Sequence, residues 1–234
     1  MNDYIKQIPE NIKHVNIDIG LSYNAPQSQV WLSNTPDLFV FGFEPNPDCI
    51  ESIRNGNIQK KCSFHGTPIQ QHFLENNFSL IPVALGNVPK PTHTVFYQMA
   101  NDCGTSSVFT PTDSSIGPVK QLTTVPIYSL KHFFDLFPWD RFEYIEYIKI
   151  DAQGSDYDIL VGAGDYLKER VVYITAEPDY LSWSNCSHNN ASNITAYLES
   201  QGFERIHHAN TSDPTFINKK FHHLRDSIFI WQQG

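Results

Sequence analysis

Positive charge is scarce in this 234-residue chain: 16 Lys and Arg stand against 25 Asp and Glu, a formal net charge of −9. The basic residues gather into no run. Nucleic-acid backbones are gripped by clustered cations, so a nucleic acid is not an expected partner. The same scarcity argues against a polybasic membrane anchor. No apolar run reaches the roughly 18 to 20 residues that span a bilayer, and no membrane association is expected. The first residues, MNDYIKQIPENIKH, are polar and lack a signal-peptide core, so a cytoplasmic location is expected. Cysteine is sparse as well. Cys49, Cys62, Cys103 and Cys186 show no CxxC spacing and read as unpaired thiols of a reducing compartment, not as disulfides or zinc ligands.

Apolar residues make up 40% of the chain, charged residues 18% and aromatics 13%. That balance suits one globular domain over residues 1–234, with Phe and Tyr prominent in its core. Strand and helix patterns alternate, which predicts an α/β layer architecture. Strands are expected at VNIDIG (15–20), LFVFGFEP (38–45), LIPVALGN (80–87), EYIKID (146–151) and VVYITAEP (171–178). FERIHHA (203–209) and DSIFIWQ (226–232) would be the last two. Helices are expected near APQSQVWLSN, capped by Ser22 or Asn24, and at PDCIESIRN, SLKHFFDLF, DYDILVGAGDYLKE and NITAYLESQGF. Residues 1–13 form a lead segment. The Thr- and Ser-rich stretch 92–127 reads as an inserted hairpin or lid, with THTVFYQ and SSVFT as its strands.

Glycine is missing where a dinucleotide loop would need it. HVNIDIGLSYNAPQSQVWL opens as a strand, an Asp and a Gly, but only Gly20 is present. A lone glycine suits a smaller anion better than a pyrophosphate. One such anion is the carboxylate of S-adenosylmethionine, met by the free N–H groups of the next helix start. Polar or acidic residues recur at the expected strand tips: Asp18, Glu44, Asp151 and Glu177. Ligands of open α/β sheets bind at those carboxyl ends. A carboxylate such as Glu44 can accept both ribose hydroxyls, although it could also cap the helix at Pro47. Asp156 and Asp158 suit a helix N-terminus in any protein.

KIDAQGSDYDILVGA resembles the signature of FkbM-type methyltransferases, and NIDIG, FGFEPNP, VALGN and a final AEP strand follow that family's order. GTSSV (104–108) and DPTFINKKF (213–221) resemble further elements of it. The resemblance spans roughly residues 15–231. It implies a Rossmann-like fold with helices on both faces of a mostly parallel seven-stranded sheet and a C-terminal antiparallel strand. It also implies S-adenosylmethionine as cofactor and O-methylation of a sugar, glycan or other hydroxylated metabolite. By position, Asp18, Gly20, Ser22 and Asn24 would form the first cofactor motif, Glu44 and Pro45 the ribose contact, and Ala84 and Leu85 the adenine wall. Asp151 would border both methyl and acceptor. Asp151 is the first candidate for the catalytic base, Glu177 the second and Asp156 the third. No metal ligand is assigned, although Asp151 and Glu177 could share a divalent ion if they converge. A non-catalytic protein of the same fold and a nicotinamide oxidoreductase are the competing classes. A first loop of LSYNAPQ, without a second glycine, and Gln153 in place of Glu depart from the family's usual pattern.

Overall fold

The computed structural model describes residues 1–5, 8–56, 67–112, 116–206 and 212–228. A short helix α1 (Asn2–Ile5) precedes β1 (His14–Ile19), α2 (Pro26–Asn34), β2 (Leu38–Phe43) and α3 (Pro47–Asn55). Next come α4 (Gln71–Asn76), β3 (Phe78–Ile81), β4 (Ala84–Leu85), β5 (Thr92–Met99) and β6 (Val119–Tyr128). Then follow α5 (Leu130–Phe134), β7 (Ile145–Ile150), α6 (Asp156–Val161), α7 (Tyr166–Arg170) and β8 (Val171–Ala176). The described chain ends with α8 (Ala191–Ser200), β9 (Phe203–Ile206), β10 (Thr215–Asn218) and a 3-10 turn at Lys219–Leu224.

Seven strands form one sheet in the order β3-β2-β1-β7-β8-β10-β9. Strands β3 to β8 in that row are parallel, and β10 runs antiparallel to both neighbours. The order reverses at β1, so the tips of β1, β2 and β7 bound the crevice where such sheets take ligands. The strands read as continuous apolar runs because helices cover both faces. One face packs Ile17, Ile19, Phe41, Phe43, Ile148 and Ile150 against Phe133, Leu160 and Ile194 from α5, α6 and α8. The other holds Val40, Tyr147, Val172 and Ile217 under Trp31 of α2 and Phe221. Among the described residues no helix is long and apolar enough to cross a membrane.

Several sequence expectations shift by a turn or a strand. LIPVALGN is divided: Phe78–Ile81 joins the large sheet, while Ala84–Leu85 pairs with β6 in a separate three-stranded sheet. Pro82 stands between them and has no N–H to continue a ladder. The insert is a hairpin, but its second strand is Val119–Tyr128, and SSVFT belongs to the connection. DYDILVGAGDYLKE is two helices. Gly162 ends the first, where a Cβ would lie 2.5 Å from the Gly86 carbonyl oxygen, and Gly164 follows with a φ of 60°. The antiparallel strand is TFIN, inside the DPTFINKKF element, because its alternate side chains fill both buried faces. Asp226 to Ile228 are not a strand, and 229–232 lie outside the described residues, as do Cys62 and His207–His208. Cys49, Cys103 and Cys186 are free and buried.

Candidate functional site

Asp18, Lys149, Thr175 and Thr215 stand side by side across β1, β7, β8 and β10. In-register neighbours point to the same face, so this polar row runs beneath the crevice. The crevice opens above it as a cleft with a cavity volume of about 120 Å³. Gly20, Ser22, Glu44, Pro45, Ala84, Leu85 and Asp151 all line it. Among the described residues that line it there is no Lys, Arg or His.

The first loop is built without a glycine-rich turn. Gly20 has a φ of 79°, followed by Ser22 at 53° and Ala25 at 47°. Three left-handed residues in six give the chain the sharp reversals that glycines supply elsewhere, at a cost of about 1 kcal/mol for each non-glycine. Helix α2 therefore begins after Ala25, with Pro26 at its first position and no side-chain cap, so neither Ser22 nor Asn24 caps it. Gly20 is required for a reason other than ligand access. A Cβ there would sit 1.8 Å from the Asp151 carbonyl oxygen. Gly20→Ala is therefore expected to separate the β1 and β7 tips and cost at least about 2 kcal/mol of stability. Thermal and urea melts of the variant check this; a wild-type midpoint would contradict it.

Glu44 joins the loops after β1 and β2. Its Oε2 accepts the Leu21 N–H at 3.0 Å and its Oε1 the Asn46 N–H at 2.8 Å, with a further bond from the Ser22 N–H. The cap of α3 is Asn46, whose Oδ1 accepts from the Asp48 N–H, so Glu44 is not the cap. Burial pushes the Glu44 carboxyl up to about 8, against those bonds. A carboxyl raised in the folded state holds its proton while the unfolded chain ionises. Stability from this group is undiminished below about pH 4.5 and declines as pH rises toward 8. The melting temperature of the ligand-free protein should therefore fall less steeply between pH 5 and 8.5 in Glu44→Gln than in the wild type. Parallel pH slopes in thermal melts would contradict this.

Asp151 lies just past β7 and its side chain remains 38% exposed, open to the cleft. Both oxygens are engaged. Oδ2 accepts from Lys149 Nζ at 3.1 Å and Oδ1 from Gln153 Nε2 at 2.8 Å. Gln153 reaches back because it and Gly154 have φ values of 51° and 97°, a tight turn. Burial opposes ionisation of Asp151, but the Lys149 charge and the hydrogen bonds outweigh it and hold the carboxyl below its usual range.

The other two candidate acids sit differently. Asp156 is fully buried, and its oxygens accept the Glu177 N–H at 2.9 Å and the Ala152 N–H at 3.2 Å. Burial, then the Asp151 charge, raises it to about 7. It braces the tips of β7 and β8 and does not line the cleft. Glu177 accepts from Gln153 Nε2 at 3.3 Å and is also off the lining. Burial, followed by the neighbouring Asp151 charge, pushes it well up, so it carries a proton at neutral pH. Asp18 and Asn24 are buried away from the lining. Asp18 Oδ2 accepts from Ser28 Oγ of α2 at 2.6 Å, and the Asn24 carbonyl accepts the Ile69 N–H. Among the described residues no three His, Cys, Asp or Glu side chains are placed to hold a metal.

The wall opposite Asp151 comes from GTSSV. Asn46 Nδ2 donates to the Cys103 carbonyl at 3.0 Å and to Ser106 Oγ at 3.1 Å, while Ser107 Oγ donates to the Gln153 carbonyl at 2.7 Å. The segment is thus fastened to the tips of both β2 and β7. Ser22 Oγ is buried against it with no hydrogen-bond partner. Val83, Ala84, Leu85, Phe96 and Val108 make the far end apolar. Sequence reasoning missed Asn46, Phe96, Ser106, Ser107 and Lys149. NP after the acidic tip and Lys two residues before Asp151 were visible signals, whereas Phe96 depends on the hairpin register.

A parallel sheet that reverses at β1, ends in an inserted antiparallel strand and carries acids at its β2 and β7 tips defines a Rossmann-like methyltransferase fold. Residues 33–226 match the methyltransferase FkbM domain, and the chain belongs to that family. No curated protein matches it. Solved structures similar to it include the METTL16 MTase domain, 11% identical at a TM-score of 0.42 over 92% of this chain and 62% of that one. The chain therefore spans about three fifths of that neighbour. Precorrin-6y C5,15-methyltransferase from Geobacter metallireducens GS-15 is 13% identical at a TM-score of 0.44 over 92% and 84%. The N-terminal domain of human METTL16 in complex with SAH is 12% identical at 0.41 over 92% and 65%.

Proposed function

We propose that the protein is an S-adenosylmethionine-dependent O-methyltransferase acting, as a single domain, on a hydroxyl of a saccharide or other small hydroxylated metabolite. One observation carries the reading: the cleft is lined by the carboxyls of Glu44 and Asp151 and, among its described residues, by no cationic side chain. S-adenosylmethionine has a sulfonium, an ammonium and one carboxylate, so its net charge is positive. It complements the ionised Asp151 and favours ionisation of Glu44, whose carboxyl is kept protonated by burial in the ligand-free protein. A nicotinamide dinucleotide seats its pyrophosphate on a glycine-rich turn, and the first loop, LSYNAPQ after Gly20, has no further glycine, which disfavours an oxidoreductase.

The residues fit the cofactor group by group. Glu44 would accept the ribose hydroxyls, a bond pattern that favours its ionised form. The apolar end formed by Val83, Ala84, Leu85 and Phe96 would take the adenine ring. The unpartnered Ser22 Oγ supports a polar contact to the amino-acid end, since a buried hydroxyl left unsatisfied is costly. Asn24 would act only by shaping the loop, and Asp18 only from beneath it. The bound cofactor supplies an electrophilic methyl whose sulfur leaves as a neutral thioether when an oxygen attacks in line.

Asp151 would orient the acceptor hydroxyl and receive its proton as the new C–O bond forms. Holding the reacting atoms in line can contribute roughly 7–11 kcal/mol in well-aligned cases. An acceptor that is itself anionic would meet a carboxylate without a free cation, so neutral hydroxyl compounds fit best. The test is transfer of a labelled methyl from S-adenosylmethionine across panels of saccharides, small hydroxylated compounds and oligonucleotides, with and without chelator. Label on a hydroxyl of a neutral compound supports the reading; label confined to oligonucleotides overturns the acceptor class, and loss in chelator would add a metal.

A further inference from the structure

We propose that Lys149 is the positioning residue that fixes the cofactor loop and the acceptor-side acid in one geometry. The inference deepens the methyltransferase reading and rests on it for its kinetic arm only. Lys149 is the penultimate residue of β7, opposite Asp18 in the parallel register of β1 and β7. Alternation along each strand puts Lys149 and Asp151 on one face, and Asp18 and Gly20 on the same face of the neighbouring strand. From that place the ammonium reaches both tips. Nζ donates to the Gly20 carbonyl at 3.1 Å and to Asp151 Oδ2 at 3.1 Å, and stands 3.9 Å from Asp18 Oδ1. An ammonium has three protons and no acceptor capacity. Two of them go to Gly20 and Asp151, while Asp18 Oδ1, buried without a hydrogen-bond partner, stands at ion-pair distance.

The contact is consequential because the two tips already touch: Gly20 passes the Asp151 carbonyl with no room for a Cβ. The loop leaving Gly20 carries Leu21 and Ser22, which bind Glu44. One cation therefore ties the chain that shapes the ribose and amino-acid ends to the carboxylate that faces the acceptor. Its side chain is only 20% exposed, so water screens these contacts little. Asp18 has Ser28 of α2 on its other oxygen and lies below the amine at ion-pair distance.

The groups facing Asp151 are Lys149 on its own strand, Asp18 on β1, Gln153 and Asp156 after β7, Glu177 after β8 and Asp213 before β10. Only Lys149 among them is cationic. With the amine removed, Asp151 is left among acids and its ionisation becomes harder.

The test follows the Asp151 carboxyl by carbon-13 NMR in aspartate-labelled protein, with Asp151→Asn used to assign the resonance. In the wild type the titration midpoint is expected below the ordinary aspartate range, and in Lys149→Met it is expected to rise by about one unit or more. Lys149→Gln, shorter and neutral, repeats the measurement if the methionine variant does not fold. An unchanged midpoint in a folded variant overturns the proposal. With an active acceptor, Lys149→Met should lower kcat, raise the acidic limb of the kcat/KM profile and weaken S-adenosylhomocysteine binding together. The Lys149→Met/Asp151→Asn double variant should then be little slower than Asp151→Asn alone. Multiplicative losses, or a lower melting temperature with an unmoved pH profile, mean a structural ion only. If the wild type binds no S-adenosylhomocysteine the function reading falls, and the NMR titration alone decides the role of Lys149.

Discussion

Asp151→Asn is expected to lower kcat by about 10²- to 10⁴-fold, the range for loss of a positioned proton acceptor. Cofactor affinity should change far less, because the contacts assigned to ribose and adenine lie at the β2 tip and in the apolar end. Asn keeps the shape but cannot take a proton, and it turns a carboxylate held by Lys149 and Gln153 into a neutral amide. The comparison with Glu177→Gln makes the assignment specific. Burial and the Asp151 charge keep Glu177 protonated, so a neutral amide should replace it with little loss of rate. Asp156→Asn should act on stability, since both of its oxygens accept backbone N–H groups and an amide nitrogen cannot. Single-turnover rates for the three variants check this. Equal losses in Asp151→Asn and Glu177→Gln would contradict the division of roles.

Glu44→Ala should weaken S-adenosylhomocysteine binding by roughly 10²-fold, about the worth of two hydrogen bonds to a charged group after compensation. The loss has two sources, because Glu44 also orders the first loop through the Leu21 and Ser22 N–H groups. Glu44→Gln separates them. An amide oxygen still accepts one bond from the loop or the ligand, so the affinity should fall by an intermediate amount. Binding should also release a proton in the wild type near pH 7, since ribose hydroxyls favour the carboxylate over the buried acid. Calorimetry in buffers of different ionisation enthalpy reads that proton directly. Unchanged affinity in Glu44→Ala would remove the ribose assignment.

The sheet was legible because its strands are apolar runs ending in acids, and PDCIESIRN announced α3 with Pro at its start and Gly after its end. What misled was continuity. DYDILVGAGDYLKE has helical composition throughout, yet Gly162 must pass the Gly86 carbonyl, a contact that no local pattern reveals. DSIFIWQ has strand composition, but TFIN supplies the antiparallel strand through its register with β8 and β9. At the site, Glu44 and Asp151 were readable as strand-tip acids facing a crevice. Glu177 shares that signal but turns to Gln153 and the Asp151 carboxyl, while Asp156, which reads as a helix N-terminal acid, binds backbone N–H groups, and only three-dimensional packing separates these from the cleft-lining pair. Lys149 was hidden by its ordinary appearance in a strand. The glycine-poor loop proved to use Ser22 and Ala25 in left-handed backbone, which its sequence does not advertise.

The central claim is that this cleft holds S-adenosylmethionine. Calorimetric titration of the purified chain with S-adenosylhomocysteine and, separately, with NAD tests it most directly. Saturable binding of S-adenosylhomocysteine near one equivalent, with no heat from NAD, is the predicted result. Binding of NAD without S-adenosylhomocysteine, or of neither, would contradict it.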